Sequence, residues 1–209
     1  MCGRFVFSAQ REQVARQFAV ELHGAMRARY NITPGTGILA VRENPHVGGR
    51  EPAVLTWGLV PEWAEDPNAL SYKMINARAG SAADKPAYRN AMRRRRCLVP
   101  ADGFYEWRRS GGGPKQPYYF RAKGGQELLA LAGLWEHWDS PDGSEIESCA
   151  LLTTAANGLM EPIHDRMPVI IPPGEYDRWL DTRNEKPGKL EDLLGPPPED
   201  ALERWPVSN

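Results

Sequence analysis

Cys97-Leu98-Val99-Pro100-Ala101-Asp102-Gly103-Phe104-Tyr105-Glu106-Trp107-Arg108 holds two short β-type runs, Cys97–Val99 and Gly103–Arg108, divided by Pro and Gly. β-branched and aromatic residues favour such runs, and Gly or Pro between them ends one strand and starts another. Outward from this stretch, Gly111-Gly112-Gly113-Pro114 reads as the turn of a hairpin whose return strand is Pro117–Ala122. Further strands are expected at Leu128–His137, Glu145–Thr153 and Pro168–Ile171, and upstream at Gly37–Val41, Ala53–Gly58 and Tyr72–Ala77. Helices are few. Val14, Phe18 and Leu22 recur every four residues after Ser8, a plausible N-cap, so 9–19 reads as an amphipathic helix. Asp84, as N-cap, and Pro86 open a second helix through about Arg93, and Tyr176–Leu180 and Glu199–Trp205 are shorter helices. Many strands in no regular βα alternation argue against Rossmann and TIM folds. The pattern predicts one α+β domain over residues 1–209, a mostly antiparallel distorted β-barrel or sheet with peripheral helices.

A chain of 209 residues is long enough to bury a real core in one domain. Its 41% hydrophobic and 25% charged content excludes wholesale disorder, collagen and coiled coil. No apolar run approaches the ~18–20 residues of a membrane span. The start lacks the apolar segment of a secretory signal, so a cytoplasmic protein without membrane contact is expected. The net charge of −1 conceals an uneven distribution. Lys73–Arg109 carries a local +7 and Glu175–Asn209 a local −4, and the Pro/Glu-rich stretch near 186–200 reads as a surface excursion. Arg93–Arg96 is the densest basic run, and two readings stay open: a solvated helix end favoured by the helix dipole, or a phosphate contact.

Cys2, Cys97 and Cys149 are odd in number and lack metal spacing, and the histidines (His23, His46, His137, His164) sit far from any cysteine pair. No disulfide framework, metal or cofactor is expected, and a reducing cytosol is the default. Cys97 and Cys149 lie in strand-like apolar runs as small buried hydrophobes. Cys2 differs. Residue 2 is small enough for Met1 to be removed, which leaves a free α-amino group beside a thiol. These groups titrate near pH ~8 and ~8.5, so both reactive forms exist at neutral pH. An aldehyde can condense with the amine to a Schiff base, and the thiol then closes a five-membered thiazolidine. Alternatively the thiolate attacks a carbonyl with the amine as base.

Seven blocks surround this residue in sequence order: Met1-Cys2-Gly3-Arg4, Arg29-Tyr30-Asn31-Ile32-Thr33-Pro34, Trp57-Gly58-Leu59-Val60-Pro61-Glu62-Trp63, Asn76-Ala77-Arg78, Pro100–Trp107, Thr153-Thr154-Ala155-Ala156-Asn157 and His164-Asp165-Arg166-Met167-Pro168. With them the sequence resembles the SRAP family (SOS-response-associated peptidase), whose members include abasic-site crosslinking proteins. The resemblance implies that the mature amino-terminal Cys2 captures the ring-opened aldehyde of an abasic site in single-stranded DNA. The product would be a thiazolidine DNA–protein crosslink that shields the lesion in the DNA damage response, with lyase-like Schiff-base chemistry on the way.

By the same resemblance, Asn76 hydrogen-bonds at the Cys2 amine or the opened sugar, Glu106 is the acid/base, and His164 positions the sugar hydroxyl or assists the proton steps. Arg4, Arg78 and Arg166 match positions that grip flanking phosphates, and Trp57 and Pro34 match positions near the splayed bases. Loss of water from a carbinolamine needs a general acid beside the amine, and a carboxyl between Tyr105 and Trp107 suits that role. An exposed Trp57 would stack on bases of any sequence, whereas a buried one would be core. One departure is visible: Ala79-Gly80 follows Asn-Ala-Arg, where family members commonly carry a Glu, which bears on the support of the neighbouring Arg. A thiol peptidase using Cys2, Glu106 and His164, acting on Met1 or on other peptides, is the alternative. A plain single-strand-binding domain is a third reading. A monomer is expected, associated with the nucleoid when it acts on DNA.

Overall fold

The computed structural model describes residues 2–44, 46–67, 71–108, 113–140 and 142–208. The quoted stretch forms two strands, β6 (Arg96–Ala101) and β7 (Gly103–Arg108), and each belongs to a different sheet. With β3 (Gly37–Glu43), β4 (Arg50–Trp57), β9 (Leu129–Asp139) and β10 (Glu145–Ala155), β6 closes a five-stranded barrel. The pairs run β10–β4–β3–β6–β9 and return to β10, which leaves no free edge in the ring. Two short strands, β5 (Asn76–Arg78) and β11 (Arg166–Pro168), attach to β10. All six residues of β6 are buried, as suits a strand covered on both faces.

The second sheet has the order β12-β8-β7-β1-β2 and is antiparallel throughout. It comprises β1 (Phe5–Phe7), β2 (Arg29–Ile32), β8 (Gln116–Ala122) and β12 (Leu202–Pro206) with β7. One buried cluster joins Phe5, Phe104 and Phe120 of this sheet to Leu55, Leu98 and Leu131 of the barrel. Asp102 is the hinge between β6 and β7, and its carboxylate accepts the Ser8 backbone N–H. Beside it Gly103 must lack a side chain, because a Cβ there would strike the Phe120 carbonyl. Short helices lie around the strands, among them α1 (Arg11–Phe18), α2 (Ala79–Ala82), α3 (Arg89–Arg94) and α4 (Tyr176–Leu180). Among the described residues no helix is long and apolar enough to cross a membrane.

Several boundaries differ from the sequence expectations. The cap of α1 is Gln10, whose carbonyl accepts the Gln13 and Val14 N–H groups, and the helix stops at Ala19 in left-handed backbone. Asp84 and Pro86 open no helix; they lie in turns between α2 and α3. Only Asn76–Arg78 of the upstream run is strand, since that is the part β10 pairs. The last barrel attachment is Arg166–Pro168, with Ile170 making a single bridge to Leu131. Glu199–Ala201 is one 3-10 turn and Leu202–Pro206 is a strand, because the edge of β8 takes it up. β2 was not anticipated. Gly111 and Gly112 of the expected hairpin turn lie outside the described residues.

The arginine run is mainly structural. Arg93 and Arg94 occupy the last turn of α3, and Arg94 meets Glu185 at 3.1 Å. Arg96 is buried and donates to the carbonyls of Trp179, Met92, Arg93, Asp181 and Asn184, so phosphate contact is overturned for it. Burial lowers its pKa to about 10, which leaves it charged at neutral pH. Arg96→Met should cost about 3–5 kcal/mol, since several buried carbonyls lose their donor together. In a chain of this size that corresponds to a melting temperature lower by roughly 6–20 °C. A variant melting with the wild type would refute the account.

Arg95 instead holds Glu136 at 2.8 Å and Glu62 at 3.6 Å. Burial lifts Glu136 to about 7, with Arg95 opposing and Glu62 reinforcing the rise. A carboxyl raised on folding binds more protons folded than unfolded between its ordinary pKa and about 7, so its contribution to stability falls as pH rises through that window. Thermal melts at pH 6 and 8 should therefore show a larger loss in the wild type than in Glu136→Gln. Equal losses would remove Glu136 as the cause.

Candidate active site

Cys2 shortly precedes β1, and β1 lies antiparallel to β7, with Phe5 opposite Phe104 and the Tyr105 N–H donating to the Arg4 carbonyl at 2.9 Å. That pairing carries Cys2 alongside Glu106. Both are buried, at 0% and 4% exposure. Burial pushes the Cys2 thiol well up, the Glu106 charge adds to the rise, and the Arg4 backbone N–H opposes it. Cys97 and Cys149 are also buried and free, and burial raises the Cys97 thiol to about 12.

Asn76 arrives from the barrel. β5 runs parallel to β10, with Asn76 opposite Leu151 and Arg78 opposite Thr153. The Asn76 Nδ2 donates to the Cys2 carbonyl at 2.9 Å, and its buried Oδ1 has no hydrogen-bond partner among the described residues. Trp57 lies beneath this strand. It is wholly buried, 5.3 Å from the Phe5 ring, and its indole N–H donates to the Ile75 carbonyl at 2.9 Å. Trp57 thus offers no face to a base; it holds the residue before Asn76, which corrects the expected base contact. Pro34 sits in the turn after β2, where the Gly35 N–H bonds the Trp57 carbonyl at 2.7 Å, and it is absent from the cleft wall.

A cleft of about 610 Å³ opens beside these residues. Glu106, His164, Arg78 and Arg166 line it, together with Lys115, Thr153 and Trp107. The His164 Nδ1 accepts the Arg166 backbone N–H at 2.9 Å and lies 3.0 Å from the Asp165 carboxylate. Arg166 donates to the Thr153 carbonyl and, at 3.2 Å, to its hydroxyl. Burial and, after it, the neighbouring Arg78 cation lower the Arg166 pKa, with Asp165 opposing. A second cleft of about 540 Å³ shares Arg78 and contains Asn76, Trp63 and Lys85. Arg4 is not among the lining residues of either cleft, and it donates to the Asn31 side chain at 2.7 Å.

Thr153, Lys115 and Trp107 were not assigned roles from sequence. Thr153 and Trp107 lie within blocks already singled out, so position in those blocks was the available signal; Lys115 carried none. At Gly80, where a family Glu is absent, an added Cβ would meet only open space. His137, Asp139 and Glu145 bring donor atoms within 4.8 Å at the exposed end of the β9–β10 hairpin, outside the cleft lining.

Comparison with known proteins gives a consistent result. The chain is 39% identical over 215 residues to the abasic site processing protein YoqW of Bacillus subtilis, covering all of this chain and 93% of that one. It is 31% identical over 198 residues to the abasic site processing protein YedK of Escherichia coli, covering 90% and 82%. A crystal structure of a Bordetella bronchiseptica protein superposes with a TM-score of 0.85 at 29% identity, covering both chains fully. The model of the SOS response associated peptidase (SRAP) family matches residues 1–209, and the chain belongs to that family.

Proposed function

We propose that this protein processes abasic sites by crosslinking Cys2, exposed as the amino terminus on removal of Met1, to the opened deoxyribose in single-stranded DNA. The reading rests on one observation: Asn76 and Glu106 converge on buried Cys2 beside a cleft that holds His164, Arg78 and Arg166. The names of the curated relatives support the same lesion. In the first step the α-amine attacks the aldehyde carbon to give a carbinolamine. Glu106 donates a proton to the departing hydroxyl, water leaves, and an iminium forms. The thiol sulfur then adds to the iminium carbon, and its proton is taken up by the Glu106 carboxylate. One C–N and one C–S bond form for each water released. Arg78 and Arg166 hold flanking phosphates, with Arg4 at the edge of the site, and His164 faces the sugar hydroxyl.

Burial of the Cys2 side chain favours this order over a peptidase mechanism. Thiolate attack on a peptide needs an ionised sulfur, which burial beside Glu106 opposes, whereas addition to an iminium follows activation of the carbon by the amine. The test mixes purified protein with an oligonucleotide containing one abasic site. A denaturant-resistant adduct, on protein whose intact mass lacks Met1, is expected. No adduct, or full activity with Met1 retained, would overturn the reading, and peptide turnover in its place would favour the peptidase.

A further inference from the structure

The outer face of the five-stranded sheet carries a row of large aromatic rings where solvent-side strand positions ordinarily carry polar ones. Side chains alternate along its strands: Phe5, Phe104, Phe120 and Leu202 turn inward and are buried, while Tyr105, Tyr119 and Trp205 take the other side. The register aligns these three. Trp205 is opposite Tyr119, and Tyr119 is opposite Tyr105. Their ring centroids are 5.4 and 5.1 Å apart, and Trp107 follows at 6.4 Å from Tyr105. The row continues across the sheet. Tyr105 donates its backbone N–H to the Arg4 carbonyl at 2.9 Å and its hydroxyl to the Tyr30 carbonyl at 3.3 Å. The two ends are open, with Tyr30 at 66% and Trp205 at 37% exposure. A guanidinium, Arg121, lies 5.0 Å over the Trp205 ring, its charge shared with Glu203.

We propose that this row is a stacking platform for unpaired bases of the DNA strand whose lesion sits at Cys2. The proposal rests on the function proposed above, and it extends the contact beyond the cleft. Two features favour nucleic acid as the occupant. The row is continuous with the cleft, since Trp107 belongs to both and Arg4 is two residues from Cys2. Its chemistry is aromatic faces with the Arg121 guanidinium over Trp205 and Lys115 lining the cleft with Trp107, the combination that holds single strands without reading their sequence. A strand leaving the cleft past Trp107 would cross Tyr105 and Tyr119 toward Trp205.

The test measures binding of a labelled, undamaged single-stranded oligothymidylate by fluorescence anisotropy. Trp205→Ala with Tyr30→Ala should weaken it about tenfold or more, and Trp205→Phe should restore most of the loss. A short oligonucleotide whose abasic site has too few neighbours to reach the platform should crosslink to the double variant at the wild-type rate, which separates this proposal from the crosslinking reading. Unchanged affinity for the oligothymidylate would overturn the platform. So would a concentration-dependent dimer in sedimentation that the double variant abolishes, since the face would then join two copies of the chain.

Discussion

Replacing Cys2 with alanine should remove the denaturant-resistant adduct altogether, yet leave a species that borohydride can trap. The alanine variant keeps the α-amine once Met1 is removed, so condensation with the aldehyde and loss of water still proceed. What it lacks is the sulfur that converts a hydrolysable iminium into a five-membered ring. The ring matters because closure is intramolecular: the sulfur is tethered to the iminium nitrogen through Cα and Cβ, an advantage that a solution thiol lacks. Without it, the iminium either returns to aldehyde or suffers β-elimination, and strand cleavage rises. Gel assays after heat and denaturant, with and without borohydride, separate these species. A stable adduct in Cys2→Ala without reductant would place the nucleophile elsewhere, and loss of the trapped species as well would deny the amine its role.

Glu106→Gln should slow crosslinking by about 10²–10⁴-fold, the usual contribution of a positioned acid/base, while changing affinity for abasic DNA little. Glutamine matches the volume and keeps a polar end in a site where Glu106 is almost wholly buried, so the fold tolerates it. It can neither give a proton to the departing hydroxyl nor take one from the thiol. A second readout distinguishes chemistry from structure. The Glu106 charge is among the causes that push the Cys2 thiol up, so its removal should make that thiol ionise more readily and react faster with an alkylating reagent. Slower crosslinking with faster alkylation is the expected pair. Slowing of both would point to a disturbed site and against Glu106 as the proton carrier.

Much of the site was legible because its residues lie in compact blocks. Asn76 and Arg78 share one three-residue strand, and His164 lies two residues before Arg166 at the start of β11, so local spacing alone delivers each pair together. The depth of a residue was not legible. Trp57 reads equally well as an exposed stacking ring or as core, and the choice falls to the closed barrel that covers it and to the Ile75 carbonyl that takes its N–H. The arginine run was ambiguous for the same reason. Arg93 to Arg96 are alike in composition, but the turn from α3 into β6 directs one to Glu185, one to Glu136 and one into a cage of carbonyls.

By itself the sequence determined a strand-rich α+β chain with an unusual second residue and a set of blocks in family order, because strand periodicity, Gly and Pro breaks and motif spacing are local properties. Only the tertiary structure decided that Asn76 meets Cys2 across 74 positions, that Leu202–Pro206 extends as a strand, and that aromatic side chains of separate strands align into one row. Each of these depends on which strand edges pair and in what register. That outcome is set by burial of the whole core and carries no mark in the residues' immediate neighbours.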